Sequence, residues 1–141
     1  MTAESSAPAR GGRVNIAFTK DATDAARRLI ERFTFTAASK QGEPDLDLVD
    51  AARIGTAFAL REGLPLTRPD DFGPANGSNF GVGSVDPGGE LRDLLQALHP
   101  DMDEDPYRIV ETLMSVGVLA IDERLANSEI HSLRTLIFPE I

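Results

Sequence analysis

Three arginines stand at helical spacing in the first third of the chain: Arg27, Arg28 and Arg32, the last two one turn apart. Guanidinium forks held in this way can bind phosphate or carboxylate oxygens, which makes them the leading candidate for a nucleic-acid or partner contact. The structural alternative is that they pair with Glu31, Asp24 or loop carboxylates and keep a helix face solvated.

The other groupings fall short of the chemistry they suggest. Gly73 to Gly89 is glycine-rich, as phosphate-cradling loops are, yet it lacks the Lys-Ser/Thr ending of a P-loop, and Gly77, Gly81 and Gly83 miss the dinucleotide-binding spacing. Turns with positive φ beside Asn76 and Asn79 account for these glycines more simply. Asp101, Asp103 and Asp105 alternate as calcium-loop ligands do. A calcium loop then needs Gly at its sixth position and Glu at its twelfth, where this chain has Pro106 and Thr112. A solvated acidic turn is the expectation, with its last Asp at the positive end of the next helix. His99 and His131 are too few for a histidine metal site, and Ser84, in Gly-Val-Gly-Ser-Val, is not in a nucleophile elbow. Carboxylate pairs are too numerous for one to be singled out. No catalytic residue, metal ligand or cofactor is therefore expected. One enzymatic hypothesis survives: the glycine-rich loop as the rim of a pocket holding Asn76, Asn79 and a carboxylate of raised pKa.

Composition narrows the classes further. The chain has 141 residues, 41% hydrophobic and 26% charged, with no Cys, no Trp and one Tyr. Without Cys there are no disulfides, thiol nucleophiles, iron–sulfur clusters or thiolate zinc sites. Residues 1–40 hold seven basic and four acidic side chains, whereas 41–141 hold seven arginines against 19 acids, for a net charge of -9. That balance opposes long-range attraction to nucleic acid and suits docking to a basic protein. The polar start, MTAESSAPARGG, reads as neither signal peptide nor anchor, and no apolar run is long enough to span a membrane, so a cytoplasmic location is expected.

The elements that must position these residues follow from apolar spacing. Residues 1–12 read as a disordered lead-in, and 13–141 as a single domain. Residues 13–19 are either a short edge strand or an extended arm, and the lack of an obvious partner strand favours the arm. Helical periodicity runs over 20–33, capped by Thr19 or Asp21, and over 46–62, capped by Asp45 or Asp47 and stopped by Gly63. Gly55 and nearby alanines would let another helix approach closely. Residues 64–84 form a long irregular Gly/Asp-rich loop, parts of which pack down through Leu64, Leu66, Phe72, Phe80 and Val82. Asp86-Pro87 and Asp105-Pro106 each read as a cap followed by Pro at the first helical position. They open a helix with Leu91, Leu94, Leu95 and Leu98 inside, and a long one that either bends at Gly117 or runs through to about Leu125. Asn127 or Ser128 starts a last short helix. The expected fold is all-α, a compact orthogonal bundle of about five short helices.

The run Ala52-Arg53-Ile54 with Ala57-Phe58-Ala59-Leu60, the preceding helix Arg28-Leu29-Ile30-Glu31-Arg32-Phe33, and the element order over about 20–125 resemble DndE, the small helical protein of bacterial DNA phosphorothioation (sulfur-modification) systems. The resemblance implies an all-helical, self-associating accessory protein that binds nicked DNA through basic side chains, here Arg27, Arg28 and Arg32 with Arg53. The acidic body, the loop at 37–44 and the unmatched tail depart from that pattern and weigh against DNA binding. The leading expectation is a non-enzymatic accessory or protein-interaction subunit of a DNA-modification or phage-defence system, with a protein partner or self-association and no membrane. The alternative is direct DNA binding through the first helix.

Overall fold

The computed structural model describes residues 15–32 and 46–127. The chain order is β1 (Asn15–Ala17), α1 (Lys20–Arg32), α2 (Leu48–Glu62), β2 (Asn79–Gly81), α3 (Val82–Val85), α4 (Glu90–Leu98) and α5 (Pro106–Ala126). The fold is mostly helical, but it is not all-α. β1 and β2 pair antiparallel, with Asn15 opposite Gly81, Ile16 opposite Phe80 and Ala17 opposite Asn79. Of the stretch 13–19, for which an arm was favoured over an edge strand, Asn15–Ala17 form a strand, and its partner lies in the stretch read as loop. Three residues of Asn, Phe and Gly carry too little alternation to announce a strand. The lead-in at 1–12 and the last helix expected after Asn127 lie outside the described residues.

α5 is the central element. It makes its broadest contact with α2, then with α1, and also touches β1 and α4. Val110, Leu113, Met114, Val118 and Ile121 of α5 are fully buried with Phe18, Leu29, Ala52 and Ala59 from its neighbours. The α2–α5 crossing depends on two glycines. A Cβ on Gly55 would stand 2.7 Å from the Met114 carbonyl oxygen, and one on Gly117 would run into the backbone of Gly55. The helices therefore meet backbone to backbone, as the small residues of α2 suggested, and α5 continues as one helix through Gly117.

Local signals explain most of the boundaries. The Thr19 hydroxyl accepts from the Ala22 N–H at 3.1 Å and starts α1. Asp47 and Asp50 form a reciprocal capping box on α2, which ends at Gly63 with φ of 68°. Asp105 accepts from the Tyr107 N–H at 2.9 Å, with Pro106 opening α5 as expected. The other Asp-Pro pair behaves differently. Pro87 is not helical, α4 begins only at Glu90, and Asp86 reaches across the intervening turn to accept from the Leu91 and Arg92 N–H groups at 3.0 and 3.1 Å. The two glycines after Pro87, Gly89 with φ of 76°, let the chain turn before the helix starts.

Candidate functional site

The four candidate arginines do not form one face. Arg28 is a bidentate partner of Asp122 on α5, its Nε and Nη2 donating at 2.9 and 2.8 Å. That fork, acting first as a hydrogen bond and then as a charge, raises the guanidinium pKa further. Arg53 leaves the surface in another direction and donates to the Ser84 and Val85 carbonyls at 2.6 and 3.3 Å, capping the open end of α3. Arg27 and Arg32 are exposed, with no ion pair among the described residues. Half of the expected basic group is thus spent on holding helices together.

Arg27 edges a groove of about 700 Å³ between α1, the start of α2 and β2. Ile30, Val49 and Phe80 supply its apolar wall, and Glu31 and Asp47 share its rim with Arg27. Asp47 is already committed to the α2 capping box. Of the asparagines expected to line a pocket rim, Asn79 borders this groove and Asn76 does not.

Within the glycine-rich stretch, Gly77 supports the two-stranded sheet. Gly77 donates to the Phe18 carbonyl at 2.7 Å, and a Cβ there would collide with Thr23 and with the Thr19 and Phe18 carbonyls. Positive φ, expected throughout the stretch, occurs at Gly73 and Gly89 but not at Gly77, Gly81 or Gly83. His99 ends α4, its N–H bonded to the Leu95 carbonyl at 2.9 Å, while His131 lies outside the described residues. No three His, Asp or Glu side chains converge as a metal site would require, among the described residues. No described helix is long and apolar enough to cross a membrane.

Two polar clusters escaped the sequence reading. One follows the outer edge of β1: Glu111 accepts from the Ala17 N–H at 2.9 Å, Arg108 donates to the Asn15 carbonyl at 3.2 Å, and the Ser115 hydroxyl accepts from the Thr19 N–H at 3.1 Å. Arg108 and Glu111 also pair with each other at 2.8 Å. The spacing 108, 111, 115 marks one face of a helix, so the signal was present, but it had no meaning until a strand was known to lie beside it. The second joins Asp86 to Tyr107, whose hydroxyl donates to the buried carboxylate at 3.0 Å. Burial first, and this bond second, push the Tyr107 pKa above its ordinary value of 10.0.

The clearest departure concerns α4. All four of its leucines were expected inside, yet only Leu95 is buried, Leu91 is half-buried, and Leu94 and Leu98 are 45% and 56% exposed. The four leucines form one stripe of about 100°, and α5 covers only its Leu95 flank, leaving the flank with Leu94 and Leu98 to solvent. Leu94 and Leu98 are the large hydrophobic side chains left exposed among the described residues. Comparison with models of protein families, with curated proteins and with solved structures gives no match.

Proposed function

We propose that the chain is a non-enzymatic subunit that works by binding another protein, in a bacterial DNA-modification or phage-defence system. The observation that carries this reading is the pair of exposed leucines on α4, since neighbouring apolar side chains left in water form the kind of patch that a binding partner covers. The resemblance of residues 20–125 to DndE supplies the biological setting. The test is co-expression with the neighbouring genes followed by co-purification in mild salt. A partner should be retained by the parent chain and lost from Leu94→Gln/Leu98→Gln. A monomer that retains nothing overturns the reading.

A second reading, direct DNA binding through α1, is favoured by the exposure of Arg27 and Arg32. Two phosphate contacts would give a salt slope of only roughly 1.8. Retardation of nicked or intact duplex at about 10 micromolar protein in low salt supports it, and its absence removes it.

A further inference from the structure

The α4 stripe is presented by a fixed element. Asp86 holds the first turn of α4 through the Leu91 and Arg92 N–H groups, Tyr107 locks Asp86 from α5, and Leu95 anchors the middle of the helix. Leu94 and Leu98, one turn apart, then project from a helix that is braced at its start and its centre. A partner side chain laid over them gains their burial without having to order the helix first.

Charge decides what can cover them. Residues 86–105 contain seven carboxylates and one cation, Arg92, whose guanidinium lies 3.1 Å from Asp93. Glu90, Asp93, Asp101, Asp103 and Glu104 are all exposed. Two copies of the chain meeting through α4 would bring two such acidic sets together, and nucleic acid or an anionic lipid surface would be repelled. A basic partner gains twice, from apolar cover at the centre and from opposite charge at the rim.

We propose that the outer face of α4, together with the acidic turn that follows it, docks a basic amphipathic segment of another protein. Leucine-like side chains of that segment cover Leu94 and Leu98, and its Lys and Arg side chains meet Glu90, Asp101 and Asp103. This rests on the interaction-subunit reading and adds to it the site and the chemistry of the partner.

The test is fluorescence anisotropy of a labelled leucine–lysine peptide, with leucines at helical spacing, titrated with the full chain. Binding in the micromolar range is expected, weakened about ten-fold both by Leu94→Gln/Leu98→Gln and by Glu90→Gln/Asp101→Asn/Asp103→Asn. The charge variant should also lose most of the salt dependence. All five positions are exposed, and an unchanged thermal midpoint confirms that the variants fold. No binding, equal binding by a peptide of the same composition with its leucines off helical spacing, or a dimer in light scattering that requires Leu94 and Leu98 would each overturn the proposal. If the leucine substitutions release the cellular partner while the peptide fails to bind, the basic-segment inference falls and the interaction-subunit reading stands. If the chain retains no cellular partner at all, that reading is what fails.

Discussion

Asp86 and Tyr107 show how much one buried polar pair can settle. The carboxylate accepts two backbone N–H groups of α4 and the phenol of α5, so it ties together two elements that otherwise share few contacts. Removing the phenol deletes one bond but leaves the carboxylate two donors, so Tyr107→Phe should cost about 1 kcal/mol in chemical denaturation. Tyr107 is also the chain's single tyrosine, and there is no Trp, so tyrosinate absorbance reports it alone. Its titration midpoint should lie above 10.0 in the folded protein and return to the ordinary value in denaturant. The sign follows from linkage: a folded pKa raised above the unfolded one gives stability that is fully present below pH 10.0 and is lost as pH climbs through the raised value. Tyr107→Phe should abolish that alkaline loss. An unchanged alkaline profile would remove Tyr107 as its source.

At the scale of elements, the helix crossing and the strand edge carry the architecture. In Gly117→Ala the new methyl meets the backbone of Gly55 rather than a movable side chain, so α2 and α5 must separate. Overpacking of this kind should cost about 3 kcal/mol, more than the roughly 1 kcal/mol that Ala gains over Gly in a helix. A thermal midpoint equal to that of the parent would contradict the close crossing. The edge of β1 is protected in another way. Its outward N–H and C=O groups are answered by Glu111 and Arg108, which close an edge that could otherwise recruit a strand from another chain. Glu111→Ala leaves the Ala17 N–H without its acceptor and Arg108 without its partner. A loss of about 2 kcal/mol is expected, with faster amide exchange at Ala17 than in α5.

For the whole molecule, the governing quantity is charge. A net charge of -9 on 141 residues means that the folded body repels itself, while Arg28, Arg53, Arg108 and Arg124 hold elements together by local pairing. Screening weakens the long-range repulsion more than the short paired contacts, so about 0.5 M sodium chloride should raise the thermal midpoint by about 2 °C. A fall on adding salt would mean that the ion pairs outweigh the repulsion. The same acidity supplies the charge on which the proposed docking of a basic segment at α4 depends.

Periodicity, capping residues and small-residue spacing were enough to set out α1, α2 and α5, the start of α5 at Asp105, the starts of α1 and α2 to one of two caps each, and the close approach at Gly55, because each is dictated by neighbours within a few positions along the chain. The absence of cysteine and the charge imbalance were equally plain. What the sequence could not determine is which residues meet across distance. Whether Arg28 binds a ligand or Asp122 and which leucines of α4 are covered depend on the placement of α5, and whether Asn15–Ala17 finds a strand or lies as an arm depends on where Asn79–Gly81 is brought. A side chain's spacing fixes the direction in which it leaves its own helix, and only the packed neighbours decide whether that direction leads to solvent, to a carboxylate or to the core.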